Sequence, residues 1–480
     1  MKNTKIVATI GPVSERREIL EQMIKEGMNV ARLNFSHGDF LWHKKVIRRI
    51  RDLSENLAVP VGIMVDLQGP RIRIGNEKEL AVRKKEIVWV TGPSRKKNRR
   101  EGLKNRPKVL HIDLDNIVQL VRKGDEILIE DGLIKLKVRE KHPGVLKCEA
   151  VNGGVIKPRK GVNIPGISSK LAALTRQDKE VLDFALDQGV DFVAMSFVRT
   201  AKEIQYLKKL IRQKSKKKQN PAQIVAKIER REAIKNFSEI LRSTDAVMVA
   251  RGDLGIEMPQ ADLPILQKEI VTKCLRSGKP SIVATQMLDS MIHNPRPTRA
   301  EISDVSNAVV DHADAVMLSG ETADGKYPVE SVRTMREIIE KTEESPFDDL
   351  SHGFLGDQRS SVSAAVAQSA HELLKDSGAS AIVVASLSGF TARMVARHRP
   401  EQKILVMTNN EKTHNQLTLV WGVESFVLPD CPTLEKLIDS ALRLIKKERL
   451  AEKGEKVVVV TGRPHVKKEH MSLIKVEEIK

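Results

Sequence analysis

Eight short stretches of the chain are apolar at nearly every position, not at every second one: 4–10, 28–34, 60–67, 191–197, 222–228, 244–250, 280–286 and 313–319. They are rich in β-branched residues, and segments of helical period separate them. A strand that is apolar on both faces is one buried beneath helices, the habit of parallel sheets. Alternation with helices makes βα units, and eight such units predict a (β/α)8 TIM barrel.

The runs begin mostly 22 to 36 residues apart, but the third and fourth begin 131 residues apart. Inside that gap the pattern changes to hairpin-like strands at 126–130 and 133–138, with turn signals at Glu130-Asp131-Gly132 and Asn152-Gly153-Gly154 and no long helix. The spacing predicts a small β-barrel domain set into the loop after the third strand, where it would cover a site built at the C-terminal ends of the strands as a lid. After a polar, proline-containing stretch at 342–357, a second α/β pattern follows: a helix near 361–374, then strands at 381–386, 403–408, 423–428, 456–461 and 473–476. The expected class is therefore α/β, with the barrel at 1–75 and 161–345, the inserted lid at 76–160 and a C-terminal α/β domain at 346–480.

Charge narrows the partners. The 480 residues carry a formal net charge of +19 with 30% charged residues, so the expected partners are anionic: phosphorylated metabolites, nucleic acid or acidic lipid. Aromatic residues make up only 3%, and the basic tracts 95–100 and 208–218 carry almost none, which leaves little stacking surface for nucleic acid as a primary partner. The apolar runs are strand-sized, far short of the roughly 18 residues of a spanning helix. The first residues pass into a strand with no signal-peptide pattern, so no membrane association and a cytoplasmic location are expected. Cys148, Cys274 and Cys431 are odd in number and form no C-x-x-C, a pattern of buried thiols rather than disulfides or a zinc site.

In a barrel the chemistry collects just after each strand, and polar residues do collect there. The second strand ends in Arg32-Leu33-Asn34-Phe35-Ser36-His37, and the third in Asp66-Leu67-Gln68-Gly69-Pro70-Arg71-Ile72-Arg73. The others contribute Ser196 and Arg199, Lys227 and Glu229, Arg251-Gly252-Asp253, Thr285-Gln286 and Ser319-Gly320-Glu321-Thr322. Lys227 and Glu229, two apart in a strand, share a face. Glu229 and Asp253 offer two hard oxygen ligands of the kind Mg2+ takes while it keeps water and substrate oxygens. Arg32, Arg71, Arg73 and Lys227 add positive charge suited to phosphate. Mutual neutralisation inside a barrel core is the alternative; polar groups at seven strand ends together weigh against it. No Walker phosphate loop and no G-x-G-x-x-G opening a helix occurs. Thr298-Arg299-Ala300-Glu301 has the form of a capping box.

These motifs run in the order of one family. TKIVATIGP, NVARLNFSHG, KGVNIPG, AKIE, MVARGDLGIE, ATQMLDSM, PTRAEISD and MLSGETA together resemble pyruvate kinase over nearly the whole chain. The resemblance implies a phosphotransferase that moves the phosphoryl group of phosphoenolpyruvate to ADP, the last step of glycolysis, with Mg2+ as cofactor and Mn2+ as a substitute. Carried over, Glu229 and Asp253 hold the metal, Lys227 stabilises the transferring group, and Arg32 holds the phosphate. Gly252, Asp253 and Thr285 hold the substrate carboxylate, and the region of Thr285, Ser319 and Glu321 relays the proton to the enolate through water. ADP phosphates meet Asn34, His37, Arg73 and Lys160. The family resemblance also implies a homotetramer.

One position departs from many members. Those that use K+ hold it around the positions of Asn34, Ser36, Asp66 and Leu67, with an acidic residue where this chain has Arg71. A cation there resembles the potassium-independent group, so K+ is expected to be dispensable, with Arg71 near Asp66 substituting for its charge. Ser386-Leu387-Ser388-Gly389-Phe390-Thr391 resembles the family's sugar-phosphate effector loop, with Ser386, Ser388, Gly389 and Thr391 as candidate phosphate groups; an ordinary helix start is the alternative reading, since the segment after Thr461-Gly462-Arg463 lacks a Gly/Ser-rich closing loop. A lyase or aldolase on a Mg2+-dependent barrel, which would not need ADP, is the enzymatic rival.

Overall fold

The computed structural model of the chain describes residues 2–93, 108–130, 132–165, 172–215, 220–350, 355, 361–431, 433–461 and 473–480. The basic tract 95–100, part of the tract 208–218 and most of the segment after Thr461 lie outside the described residues. All eight apolar runs are parallel strands: Lys5–Ile10, Met28–Asn34, Gly62–Leu67, Phe192–Met195, Gln223–Ile228, Ala246–Ala250, Ser281–Ala284 and Ala315–Leu318. They close into a barrel in which the first strand pairs with the last, Lys5 opposite Ala315. Both faces are buried because each has its own core. Outward residues such as Ile6, Ile63, Val193 and Ile224 pack under the surrounding helices, and inward ones such as Val7, Met64, Phe192, Met248 and Met317 fill the interior. Side chains of this size contribute about 1.5–3 kcal/mol each on burial.

Three strands stop sooner than their apolar runs, at Met195, Ala284 and Leu318 instead of 197, 286 and 319. Phe197, Thr285 and Gln286 have φ of 55°, 74° and 55°. Left-handed backbone cannot continue a ladder, and in residues with a Cβ it is strained, a state that concentrates at functional sites. The mouth of the barrel is thus where the chain leaves regular geometry.

The 131-residue gap holds a seven-stranded sheet around Ile127, Leu136, Val138 and Leu146. Glu126–Ile129 and Ile134–His142 form the expected hairpin, and its short helix, Ile117–Leu120, spans four residues. The sheet's two outer strands, Ile72–Arg73 and Val109–His111, are joined by a bridge between Ile74 and Ile112, so the sheet curls on itself. The chain leaves through Ile72–Arg73 and returns through Gly161–Asn163, and these two strands pair, Gly161 opposite Arg73. A five-stranded sheet follows the barrel, with four parallel strands and Leu473–Glu478 antiparallel at its edge. It is fastened to the barrel by Arg399, which meets Asp314 at 3.3 Å and stacks 4.7 Å from Trp421, and by Lys412, 3.2 Å from Asp191. Among the described residues no helix is long and apolar enough to cross a membrane.

Candidate active site

Six barrel-mouth side chains meet in direct contact. Arg32, at the end of the second strand, directs Nε (2.9 Å) and Nη2 (2.7 Å) to Oδ2 of Asp66 on the third, and its Nη1 donates to Thr9 Oγ1 at 2.9 Å. Lys227 Nζ lies 3.2 Å from the same Asp66 oxygen, 2.9 Å from Glu229 Oε1 and 2.9 Å from Ser196 Oγ. Asp253 stands at the cleft with Arg71 at 3.8 Å. The deep groups are closed off from solvent: Asp66 is 2%, Lys227 5% and Glu229 1% exposed.

Charge burial of this degree is sustained only by pairing. Burial pushes the Asp66 carboxyl up, but Lys227 and Arg32 outweigh it and hold Asp66 below the usual carboxylate range. Burial lowers the Lys227 ammonium, and Asp66 and Glu229 more than restore it, so it stays charged. Glu229 goes the other way. Burial raises it, Lys227 opposes, and the neighbouring charge of Asp253 raises it further. Two carboxylates in one pocket repel one another unless a cation lies between them.

Local backbone aims these groups. Phe197 N–H donates to Glu229 Oε2 at 2.7 Å, which its left-handed φ permits, and its ring lies under two guanidiniums, Arg230 at 4.7 Å and Arg71 at 5.8 Å. Gly69 has φ of +67°, and a Cβ there would come within 2.9 Å of Phe197 Cδ2, so only glycine lets the third-strand loop pass this ring. The helix Arg251–Glu257 begins directly after the sixth strand, and Gly252 N–H donates to Thr285 Oγ1 at 2.8 Å. Glu321 is buried, accepting N–H from Leu288 (3.1 Å) and Ser319 (2.7 Å), and burial raises its carboxyl above the usual range.

Between the barrel and the inserted sheet lies a cleft of about 230 Å³, lined by Arg71, Arg73, Asn163, Glu229, Asp253 and neighbours. A divalent cation fits this wall. Glu229 Oε1 is buried with the Lys227 ammonium at 2.9 Å and, among the described residues, no other hydrogen-bond donor, and Asp253 lines the same cleft. Among the described residues no three His, Cys, Asp or Glu side chains group for a metal, so a metal held here takes its remaining ligands from water or substrate.

Not every strand-end residue joins the site. Arg199 turns to Glu203 on its own helix, and Arg251 binds Asp304 at 2.6 Å. Arg71, expected near Asp66, makes its ion pair with Asp253 instead, because Arg32 and Lys227 already occupy the Asp66 carboxylate. Lys160 pairs with Glu130 at 2.6 Å, and Arg73 Nη1 donates to the Arg159 carbonyl at 3.3 Å, both on the side of the inserted sheet. Asn34 Oδ1 accepts the Ser36 N–H at 3.1 Å, and the His37 carbonyl accepts from His43 Nε2 at 2.9 Å. Phe197, Arg230, Glu257 and Asn163 line the same cleft but are not among the site residues expected from the sequence. Adjacency of Arg230 to Glu229 and the four-residue spacing of Glu257 from Asp253 were the available signals.

At the turn from the strand Ala381–Ala385 into the helix Phe390–Ala396, Ser386 and Thr391 are buried, Gly389 has φ of +74°, and Ser388 Oγ accepts from Phe390 N–H at 3.4 Å. The capping box is present, with Thr298 and Glu301 exchanging bonds.

Two family models match the chain: pyruvate kinase, barrel domain, over residues 1–332, and pyruvate kinase, alpha/beta domain, over residues 364–477. Pyruvate kinase from Geobacillus stearothermophilus is 41% identical over 485 aligned residues, covering 100% of this chain and 80% of the relative. Pyruvate kinase 2 from Synechocystis is 41% identical, with the same coverage. A solved pyruvate kinase from Cryptosporidium parvum superposes with a TM-score of 0.89 at 33% identity, covering 100% of this chain and 96% of that one. With its barrel, its inserted sheet and its cluster of buried charges at the barrel mouth, the chain belongs to the pyruvate kinase family.

Proposed function

We propose that this chain transfers the phosphoryl group of phosphoenolpyruvate to ADP, giving pyruvate and ATP. One observation carries the reading: the buried cations Arg32 and Lys227 meet the carboxylates Asp66 and Glu229 at the barrel mouth, and Glu229 in turn lines, with Asp253, the cleft shared with the inserted sheet. Phosphoryl transfer asks a protein for positioning and for neutralisation of charge on the equatorial oxygens more than for covalent chemistry.

In this reading Arg32 holds the substrate phosphate, and Lys227, held charged between Asp66 and Glu229, neutralises the transferring group. Glu229 and Asp253 hold Mg2+, for which Mn2+ substitutes. When bound, that cation polarises phosphoryl oxygens and offsets their charge. The Gly252 and Asp253 backbone with Thr285 holds the substrate carboxylate, which on binding takes the Gly252 N–H over from Thr285 Oγ1. Arg73, Lys160, Asn34 and His37 receive the ADP phosphates. Protonation of the enolate runs through water in the region of Thr285, Ser319 and Glu321; the raised Glu321 carboxyl supports a proton-carrying role there.

The enzyme is proposed to need no K+. The Asp66 carboxylate already has two cationic partners and the Ser196 hydroxyl, and Gln68 Nε2 donates to the Phe35 carbonyl beside it. Arg71 adds a cation to the same cleft wall, at Asp253. The division into a barrel at 1–75 and 161–345, a lid at 76–160 and a C-terminal unit at 346–480, a homotetrameric assembly, and a phosphate site at Ser386, Ser388, Gly389 and Thr391 complete the reading. ATP formation from phosphoenolpyruvate and Mg-ADP tests it; turnover of phosphoenolpyruvate without ADP favours the lyase or aldolase instead.

A further inference from the structure

Glu257 lies one helical turn beyond Asp253 on Arg251–Glu257, and residues four apart share a helix face. Its side chain is 7% exposed. Its Oε1 accepts from Arg230 Nη1 at 2.9 Å and from Asn163 Nδ2 at 3.2 Å, and its carbonyl accepts from Arg231 Nη2 at 3.3 Å. Arg230 directly follows Glu229 and stacks on Phe197, the residue whose N–H fixes the Glu229 carboxylate. Asn163 ends the strand by which the chain returns from the inserted sheet, the strand that pairs with Ile72–Arg73 and follows Lys160. A single carboxylate oxygen therefore joins three elements: the strand end of Glu229, the helix of Asp253 and the root of the lid.

Resting on the reading of the cleft as a phosphoryl-transfer site, we propose that Glu257 is a positioning residue that sets the register of the returning lid strand against the Glu229 and Asp253 carboxylates. The groups on the nucleotide side of the cleft, Arg73 and Lys160, are then placed together with those on the metal side. Asn163 is the lid end of this link, and its removal cuts the link while leaving the Arg230–Glu257 pair intact.

The test compares the full-length protein with Asn163→Ala, Glu257→Gln and the double variant, reading kcat, the KM for ADP and for phosphoenolpyruvate, Mn2+ binding by electron paramagnetic resonance without substrate, and thermal unfolding. Asn163→Ala raises the KM for ADP about tenfold, the scale of one hydrogen bond to a charged group, with Mn2+ affinity, the KM for phosphoenolpyruvate and the melting temperature as in the wild type. Glu257→Gln raises the KM for ADP at least as far and weakens Mn2+ binding. The double variant is no worse in KM for ADP than Glu257→Gln, because both changes break the same link. Wild-type KM for ADP in Asn163→Ala, or a double variant whose effect is the product of the two singles, overturns the inference. If Glu257→Gln does not fold, Asn163→Asp sets a second carboxylate against Glu257 and must raise the KM for ADP beyond Asn163→Ala; equality of the two overturns it. A wild type that forms no ATP removes the reading of the site, whereas an active wild type with independent variants removes only the positioning role.

Discussion

Lys227 and Glu229 stand two residues apart in sequence at the end of the fifth barrel strand and meet at 2.9 Å, with Asp66 closing the pair at 3.2 Å from the third strand, across the intervening fourth. The lysine is thereby held charged against the pull of burial, which by itself lowers its proton affinity. A fixed, dry cation aimed at a cleft is worth far more to a developing negative charge than a solvated one.

Lys227→Met removes that cation. The predicted loss in kcat is about 10³-fold, the upper scale for one preorganised charge stabiliser. Asp66 keeps Arg32 but Glu229 loses its partner, so the melting temperature falls as well, since breaking a buried pair costs about 3–5 kcal/mol. Steady-state kinetics and a thermal melt on the same preparation check both.

Glu229→Gln keeps the shape and the Phe197 N–H contact at Oε2 but removes the charge. Mn2+ affinity measured by titration should fall by at least the roughly 10- to 100-fold that follows loss of a group supporting a ligand. Unchanged affinity would place the metal elsewhere.

Arg71 carries the potassium prediction. In buffer free of Na+ and K+, adding KCl leaves wild-type activity essentially unchanged, while Arg71→Glu, which restores an acid beside Asp253, becomes dependent on KCl. A large gain in the wild type contradicts the proposal.

Stability should decline on the acid side through His43, which is buried, and His398, which is half-buried. Burial, with help from Arg397 and His371, lowers His398 to about 3, and burial lowers His43, stacked 3.6 Å from Phe35, to about 4. A lowered folded-state value means the unfolded chain binds the proton more tightly. The stabilising contribution is therefore complete above pH 6.5 and drains away as pH falls toward 4, at up to about 1.4 kcal/mol per pH unit for one proton. Denaturant midpoints measured from pH 7 to pH 5 should fall, and His398→Gln should make the slope shallower.

Much of this molecule could be read from the chain because its strands are buried on both faces, and continuous apolar runs such as 244–250 leave no other place for themselves. The insertion showed itself as a broken spacing, and the strand-end rule found Arg32, Lys227, Glu229 and Asp253 without coordinates. What stayed hidden depends on backbone direction and on contacts across elements. Nothing in the letters says that Phe197 turns left-handed and points its N–H at Glu229, or that Arg71 reaches Asp253 because Asp66 is already occupied. The Asn163–Glu257 bond joins residues 94 apart in the chain, and only the strand returning from the inserted sheet brings them together.

The most direct measurement follows labelled phosphate from phosphoenolpyruvate into the nucleotide, with Mg2+ and ADP supplied and Lys227→Met run beside the wild type. The account predicts label in the terminal phosphate of ATP, one pyruvate per ATP, and near-abolition in the variant. Pyruvate formed with the label released as inorganic phosphate, at a rate indifferent to ADP, would contradict it.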